Sequence, residues 1–262
     1  MVNFAVRVSL PFSLTESSVV AIVPSRYQST RLPAKALAEI AGRPMIEHVY
    51  RRAAAARTVA GVIVATDDER IAAVVRGFGG VSWMTRADHA SGTDRLAEVA
   101  AALPCGVIVN VQGDEPEMDP AVIDAVVRPL LADPELGMAT ACRPLKDAEE
   151  FASPHVVKVV RDARGRALYF SRAPIPFPRD TGGVPEAARA HVGLYAYRRQ
   201  VLLRLAALTP VALERTEALE QLRALAHGID IAVVETTHDA PGVDTADDLA
   251  RVRARLTTAT RT

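Results

Sequence analysis

The segment Val107-Ile-Val-Asn-Val-Gln-Gly-Asp-Glu-Pro116 decides the fold of this 262-residue chain. Its apolar run ends at Gly113, and two carboxylates and a proline follow at once. This pattern is typical of a buried strand that delivers acidic side chains to the carboxyl edge of a parallel sheet, where open α/β sheets bind ligands. Mg²⁺ is the cation that carboxylates at such an edge most often bind. The segment therefore predicts metal ligands at Asp114 and Glu115, with a solvated turn as the alternative.

Short apolar runs alternate with helical patterns on either side of this segment. In the amino-terminal half, strands are predicted over residues 19–23, 62–65, 81–84 and 106–111. Helices are predicted after Pro44, after the capping residue Asp68, over 96–103 and over 120–131. This alternation predicts an α/β fold with a doubly wound, mostly parallel sheet.

The carboxyl-terminal half is less regular. Strands are predicted over residues 138–142, 156–160, 167–170, 192–197 and 231–234, and helices over 201–208, 214–227 and 245–256. Closely spaced prolines over 174–178 predict an extended loop. We find neither an internal repeat nor a low-complexity linker. We therefore predict one domain over 19–262 with an inserted lobe over roughly 143–215, preceded by a disordered or loosely attached extension over 1–18.

Composition excludes several classes of protein. Acidic and basic side chains number 31 each, so the chain lacks the basic excess of proteins that coat nucleic acids or membranes. It also lacks an apolar stretch of the ~20 residues that cross a bilayer. Cys105 and Cys142 lie far apart beside apolar segments, which favours buried free thiols in a reducing cytoplasm over a disulfide.

A cationic loop follows the first predicted strand. Arg26, Arg31 and Lys35 are interleaved there with hydroxyl side chains, a combination that suits a polyphosphate. The alternative is a solvated basic loop. Residues 24–35 contain neither Gly-x-Gly-x-x-Gly nor Gly-x-x-x-x-Gly-Lys-Ser/Thr, which disfavours a dehydrogenase and a P-loop kinase.

Two further polar segments precede predicted helices. Residues 85–95 carry hydroxyls, a glycine and two arginines that suit a base and a ribose, with a helix cap at Thr93 or Asp94 as the alternative. Asp244 lies between the last strand and the last helix, where it is a second candidate metal ligand or a cap. Two carboxylates from separate strand ends that meet on one ion are a recurrent arrangement in nucleotide chemistry.

The remaining candidates lie in the second half. Arg172 follows a predicted strand, and a lone histidine such as His191 is more often structural than catalytic. Four residues are predicted to share one helix, with an exposed acidic face as the alternative to a binding role: Glu214, Glu217, Glu220 and Gln221.

Seven segments together resemble the 3-deoxy-manno-octulosonate (KDO) cytidylyltransferases of Gram-negative bacteria. They are residues 23–35, 85–95, 109–116, 168–176, 191–197, 219–223 and 242–245, and the resemblance runs in order from about Val19 to Leu256. The Gln-Gly-Asp-Glu-Pro and Ser-Arg-Ala-Pro-Ile-Pro sequences distinguish this family from the related CMP-sialic acid synthetases.

The resemblance implies a Rossmann-like sheet of the nucleotide-diphospho-sugar transferase type, with a small sugar-binding and dimerisation lobe. It implies transfer of CMP from CTP to the anomeric hydroxyl of KDO, with release of pyrophosphate, for lipopolysaccharide biosynthesis by a cytoplasmic homodimer. Arg26, Arg31 and Lys35 would hold the CTP phosphates, and Asp114 and Asp244 would bind Mg²⁺, with Arg26, Lys35 and the two acids as the catalytic set. The cytidine would be surrounded by Arg86, Asp88, Ser91 and Thr93. The pocket for the sugar acid would be lined by Gln112, Arg172, His191, Tyr195, Glu214 and Gln221.

The sequence departs from the family at several positions. Ala34 and Ala36 replace the usual glycine and proline, Phe177 replaces a tryptophan, Ala190 replaces a common arginine, and the segment over 179–189 is short. These departures fall mainly near the sugar lobe. Three alternatives therefore stand beside KDO activation: a CMP-transferase for amino-KDO or a nonulosonate, a transferase for another base, and a nucleotide-binding protein without catalysis.

Overall fold

The structure is a computed structural model that describes residues 10–28, 32–180, 182–239 and 242–259. Its strands are β1 (Val19–Ser25), β2 (Glu39–Ile40), β3 (Arg43–Pro44), β4 (Gly61–Thr66), β5 (Ser82–Met84), β6 (Val107–Asn110), β7 (Met138–Pro144), β8 (Lys158–Arg161), β9 (Ala167–Ser171), β10 (Arg189–Arg198) and β11 (Ile231–Glu235). Its α-helices are α1 (Met45–Ala54), α2 (Glu69–Gly77), α3 (Gly92–Ala101), α4 (Pro120–Ala132), α5 (Ala148–Ala152), α6 (Arg199–Ala207), α7 (Ala212–Glu217), α8 (Gln221–Ala226) and α9 (Ala246–Ala259).

The central sheet has the strand order β11-β7-β10-β6-β1-β4-β5. The pairs β1–β4, β1–β6, β4–β5 and β7–β11 are parallel, whereas β10 runs antiparallel to both β6 and β7. The β8–β9 hairpin joins the end of β10. The prediction of a doubly wound, mostly parallel α/β sheet is therefore confirmed.

Strand β1 lies at the centre because nearly all of its residues are apolar and buried on both faces. Val19, Ala21 and Val23 pack on the side of α1, α2 and α4. Val20 and Ile22 pack on the side of α3, α6 and α8. This alternation places one helical layer on each face of the sheet and leaves the carboxyl ends of the strands open between the layers.

Local sequence starts the helices that flank this edge. Asp68 accepts a hydrogen bond from the backbone of Arg70, and Asp119 caps α4 just before Pro120 in its first turn. Ser91 and Asp94 form a reciprocal capping box at the start of α3. The predicted role of Asp94 as part of a cap is thus confirmed.

Three features differ from the sequence prediction. The predicted helix over 214–227 is two helices, α7 and α8, because Ala218 adopts the left-handed conformation with φ 50° and ψ 48°. The four polar residues assigned to one helix are consequently divided between the two, and Glu217 and Gln221 do not share a helical face. The short β2–β3 hairpin and the helix α5 were not predicted, because segments of two to five residues carry too little periodicity.

Residues 10–18 pack against the domain. Leu10, Phe12 and Leu14 contact the apolar cluster on the α3 side of the sheet. Gly106 lies so close to the backbone of this segment that an added Cβ would be 2.1 Å from the carbonyl oxygen of Glu16. This part of the predicted extension is therefore attached rather than loose, while residues 1–9 lie outside the described residues.

Both cysteines are buried free thiols, as predicted. Burial raises the pKa of Cys105 and of Cys142 to about 11, so neither is a reactive thiolate. Within the described ranges, no helix is both long enough and apolar enough to cross a membrane.

Candidate active site

The turn after β6 places Asp114 at the open edge of the sheet. Gly113 lies against the end of β1, where an added Cβ would come within 2.8 Å of the carbonyl oxygen of Pro24. Any other residue would push the turn away from the strand. The carbonyl of Asp114 accepts a hydrogen bond of 2.8 Å from the backbone of Val243. This bond ties the start of the last helical segment to the acidic turn.

The structure brings Asp114 and Asp244 together on one cation. The Lys35 Nζ lies 2.7 Å from Oδ2 of Asp114 and 3.2 Å from Oδ1 of Asp244. Partial burial alone would lower the pKa of Lys35, but the two carboxylates outweigh that effect and raise its pKa above the ordinary value. We call Lys35, Asp114 and Asp244 the acid–lysine cluster.

The loop that carries Lys35 is held in an uncommon backbone conformation. Ala34 has φ 55° and ψ 27° immediately before the 3₁₀ turn Lys35–Leu37. This is the left-handed region, which glycine adopts most readily and which explains the family's usual glycine here. Arg26, at the other end of the loop, is exposed and donates a 2.7 Å hydrogen bond to the carbonyl of His89. Arg31 lies outside the described residues.

The acid–lysine cluster suits a divalent metal. Its carboxylates converge on a point where a positive charge is already stabilised, and carboxylate oxygens are the ligands that Mg²⁺ prefers. Within the described part of the chain, no group of three or more His, Cys, Asp or Glu side chains could enclose a metal ion. Mg²⁺ is usually held by one or two carboxylates together with substrate phosphates, so the two acids fit it.

The predicted cytidine residues lie in two settings. Arg86 and Asp88 are exposed, with Nε and Oδ1 3.1 Å apart, on the rim of an open depression of about 470 Å³. Ser91 is occupied in the capping box, and its Oγ accepts from the backbone of Asp94 at 3.1 Å. Thr93 is buried and donates to the carboxylate of Glu220. Arg86 and Asp88 thus face solvent, whereas Ser91 caps α3 and Thr93 lies in its first turn.

A bulge in β10 shapes the predicted sugar region. The register against β7 shifts between Val192 and Tyr195. Gly193 lies within the bulge, and its carbonyl is 3.5 Å from Nε2 of Gln112. Bulges re-aim neighbouring side chains, and here the glycine leaves space beside the acidic turn.

The half-buried His191 and the buried Tyr195 form an aromatic group on β10. The Nε2 of His191 lies 2.9 Å from the hydroxyl of Thr140, and its ring packs edge-on against Phe170 at 5.0 Å. The ring centroids of His191 and Tyr195 are 5.3 Å apart. Burial lowers the pKa of His191 to about 3, so its imidazole is neutral near pH 7.

The other predicted sugar residues are distributed differently. Arg172 lies at the end of β9, and its guanidinium contacts backbone carbonyls of the α7–α8 junction. The Glu214 carboxylate is occupied by Arg223, whose Nε donates to it at 2.8 Å. Gln221 is buried at the start of α8. The structure therefore brings Arg172 close to this junction but directs Glu214 toward a structural ion pair.

Three residues support the site in ways that the sequence did not predict. Lys158 was not a candidate, and it contacts the backbone of Arg172 together with Glu217, which was predicted on an acidic helix face. Arg95 is one of the two arginines predicted to suit a base and a ribose, but it is wholly buried, donates to Thr85 and pairs with Asp67 at 3.2 Å, which links the ends of β4 and β5. These roles were missed because only packing reveals that a long cationic side chain is buried.

Glu115 is the second carboxylate of the acidic turn. Burial raises its pKa to about 8, and the negative charge of Asp114 adds to the shift. Among the described residues, its Oε2 is shielded from solvent and has no hydrogen-bond partner. Asp114, and not Glu115, contacts the cationic group of the cluster.

Comparisons with known proteins give a consistent picture. The profile of the Cytidylyltransferase family matches residues 20–231. The 3-deoxy-manno-octulosonate cytidylyltransferase of Geobacter sulfurreducens is 52% identical over 248 residues, which cover 91% of this chain and 99% of the relative. That of Syntrophotalea carbinolica is 55% identical over 246 residues, which cover 91% of this chain and 98% of the relative.

Solved structures agree. A CMP:2-keto-3-deoxy-manno-octonic acid synthetase complexed with CTP is 45% identical with a TM-score of 0.88, covering 93% of this chain and all of that chain. A 4-diphosphocytidyl-2C-methyl-D-erythritol synthase from Anaerococcus prevotii, 14% identical with a TM-score of 0.62, covers 92% of this chain and 96% of that chain and shares the fold alone. The family profile and the identity over nine tenths of the chain lead to one conclusion: this chain belongs to the cytidylyltransferases, and among them to the 3-deoxy-manno-octulosonate cytidylyltransferase family.

Proposed function

We propose that this protein transfers CMP from CTP to the anomeric hydroxyl of KDO and releases pyrophosphate, which activates the sugar for lipopolysaccharide biosynthesis. The observation that carries the proposal is the acid–lysine cluster, where Lys35, Asp114 and Asp244 meet at the carboxyl edge of the sheet. The relatives that bear this activity in their names span 91% of the chain.

The reaction must bring two anions together, because the sugar acid attacks a nucleotide triphosphate. Cationic side chains offset their repulsion before positioning can act. Lys35 has three ammonium donors, of which Asp114 and Asp244 accept two, so one remains for a phosphate oxygen. Arg26, at the start of the same loop, is exposed and adds a second positive charge for the phosphates.

Mg²⁺ is the cofactor that we propose, held by Asp114 and Asp244. When bound, it supplies positive charge to the phosphates and lowers the pKa of a hydroxyl that it contacts. The chain contributes the two carboxylates, the rigid glycine turn that positions Asp114, and the backbone bond from Val243 that keeps the second acid beside it.

Arg172 is the group that we assign to the carboxylate of the sugar acid. Among the described residues, no carboxylate lies within salt-bridge distance of its guanidinium, so its positive charge is uncompensated by another side chain. The neutral, half-buried His191 and the buried Tyr195 offer uncharged neighbours for a polyhydroxylated ring.

A homodimer in the cytoplasm is the remaining part of the proposal. Phe177 is 81% exposed and Leu168 is 61% exposed, and both lie within the segment 143–215 that the sequence predicts as a lobe. Because contiguous exposed apolar surface marks protein contacts, we assign the dimer contact to this segment. Sedimentation of the wild type and of Phe177→Ser tests this part; a wild type that sediments as a monomer would contradict it.

The experiment that tests the activity is pyrophosphate release with CTP, Mg²⁺ and KDO, with each component left out in turn. Release that needs all three supports the proposal. Turnover of amino-KDO or a nonulosonate in place of KDO would identify the related transferase instead, and faster turnover with UTP would exclude the cytidine assignment. Binding of CTP without pyrophosphate release under any of these conditions would show that the protein binds the nucleotide without catalysing its transfer.

A further inference from the structure

Arg172 is half-buried, and three backbone carbonyls accept hydrogen bonds from its guanidinium. Its Nε donates to the carbonyl of Glu217 at 2.7 Å, one terminal nitrogen donates to Pro154 at 2.9 Å, and the other lies 3.4 Å from the carbonyl of Ala218. These bonds use three of the five guanidinium donors and leave one on each terminal nitrogen. Two such donors match the two oxygens of a carboxylate.

The backbone of Arg172 is held from both sides as well. Its N–H donates to Oε2 of Glu217 at 2.9 Å, and its carbonyl accepts from Nζ of Lys158 at 2.7 Å. The other carboxylate oxygen of Glu217 accepts from Ser171 at 2.6 Å. We call Lys158, Glu217 and the carbonyls of Pro154 and Ala218 the arginine frame.

Lys158 is an unusual component because it is a buried cation that forms no salt bridge with any described residue. Its side chain is fully buried, and its three donors reach the carbonyls of Ser153, Val156 and Arg172, each at 2.7 Å. Among the described residues, no carboxylate lies within salt-bridge distance of it. Burial of an ammonium is costly, and desolvation lowers the pKa of Lys158, although the nearby carboxylate of Glu217 offsets part of that shift.

The left-handed Ala218 completes the arrangement. It ends α7 directly after Glu217 and separates this helix from α8. Consecutive carbonyls of Glu217 and Ala218 both accept from the same guanidinium. A continuous helix would commit these carbonyls to bonds within the helix, so the break makes them available to Arg172.

We propose that Lys158 and Glu217 are positioning residues that aim the two unused donors of Arg172 at the carboxylate of the sugar acid. The inference rests on the proposed function, in which Arg172 binds that group. No carboxylate of the frame accepts directly from the guanidinium of Arg172, because its acceptors there are neutral carbonyls. The frame therefore orients the cation without forming a salt bridge to it.

The test compares Glu217→Ala and Glu217→Gln with the wild type in the pyrophosphate-release assay. Loss of one well-aligned, charge-assisted hydrogen bond predicts a rise in KM for KDO on the order of tenfold or more in Glu217→Ala. Glu217→Gln keeps one acceptor and is expected to have a smaller rise. KM for CTP and the melting temperature are expected to change little, since the frame lies apart from the acid–lysine cluster.

Two controls separate positioning from general stability. Glu235→Ala removes a carboxylate that accepts from Arg161 at 2.7 Å in the same part of the sheet, with no contact to Arg172, and is expected to leave both KM values unchanged. The double variant Glu217→Ala/Arg172→Ala is expected to have the same KM for KDO as Arg172→Ala alone, because Glu217 acts through Arg172. Lys158→Met is expected to raise the KM for KDO and to leave the KM for CTP unchanged. If this variant fails to fold, the Glu217 variants test the inference alone.

The inference is overturned if Glu217→Ala leaves the KM for KDO unchanged, raises both KM values equally, or adds to the effect of Arg172→Ala. These outcomes require a wild type that turns over KDO and so leave the proposed function intact. A wild type that uses another sugar acid contradicts the KDO assignment, and the same variants then test the frame with that acid. A wild type that uses no sugar acid overturns both.

Discussion

The acid–lysine cluster and the arginine frame hold a cation by opposite means. Lys35 is held by two carboxylates that come from distant parts of the chain, so its charge is balanced by side chains. Arg172 is held by backbone carbonyls from adjacent loops, so its position is fixed but its charge is not balanced. Asp114 follows β6 and Arg172 follows β9, which are strands of one sheet, and in the proposed reaction each region binds one of the two substrates.

The difference shows how each region matches its ligand. A site that must accept a metal and a polyphosphate needs carboxylates, and the lysine stabilises them until those ligands arrive. A site that must bind a single carboxylate needs an uncompensated cation with a defined direction, which neutral carbonyls can supply. The following changes test this contrast.

Asp114→Asn and Asp244→Asn are expected to have the largest effect. Each removes one of the two acids that suit Mg²⁺, and we expect kcat/KM to fall roughly a thousandfold with the fold retained. Steady-state kinetics at saturating Mg²⁺ and circular dichroism provide the measurement. Asp124→Asn is the matched control, because Asp124 accepts from Thr58 within the fold, away from the cluster. Near wild-type activity in either active-site variant would remove that residue from the metal site.

Lys35→Met is expected to change two quantities in opposite directions. Activity should fall about a hundredfold because a phosphate donor is lost. Binding of Mn²⁺ in the absence of CTP should strengthen roughly fivefold to tenfold, because the two carboxylates no longer pair with an ammonium. Isothermal titration measures the second effect independently of turnover. Weaker Mn²⁺ binding in this variant would contradict the view that the lysine occupies the place of a metal cation.

Glu214→Gln is expected to affect stability more than binding. Its carboxylate pairs with the buried Arg223, and we expect the free energy of unfolding to drop by about 2 kcal/mol. KM for KDO should change less than about twofold, because Arg223 already occupies the carboxylate. Urea denaturation and sugar kinetics measure the two effects. A large rise in KM for KDO with unchanged stability would show that Glu214 binds the sugar.

Replacement of His191 is expected to have a smaller, pH-dependent effect on the free energy of unfolding. Its pKa is about 3 in the folded state and near 6.5 when exposed, so below pH 6.5 the unfolded state binds a proton that the folded state does not. Stability should therefore fall as the pH drops through this window, with His191 contributing about 1–2 kcal/mol between pH 7 and 5. His191→Gln should flatten the pH dependence of the urea midpoint. The same substitution at the exposed His155 is the control, and an unchanged slope in His191→Gln would refute the assignment.

Sequence patterns predicted the parts of the site that depend on local order. The apolar run before Gly113 predicted both a buried strand and the delivery of Asp114 to its end, and the structure places them so. The membership in the KDO cytidylyltransferase family is confirmed by the comparisons. The break at Ala218 was not predictable, because alanine strongly favours a continuous helix.

What the sequence by itself determined is the order of strands and helices, the positions of the acids and cations after those strands, and the family. These follow from hydrophobic periodicity and from short segments whose chemistry is local. Only the tertiary structure decided which partner each charge has. Lys35 pairs with two carboxylates, Arg223 pairs with Glu214, and Lys158 and Glu217 hydrogen-bond to the backbone of Arg172. The physical reason is that these contacts join residues distant in the chain, and many end on backbone carbonyls, which every residue carries and no sequence pattern distinguishes.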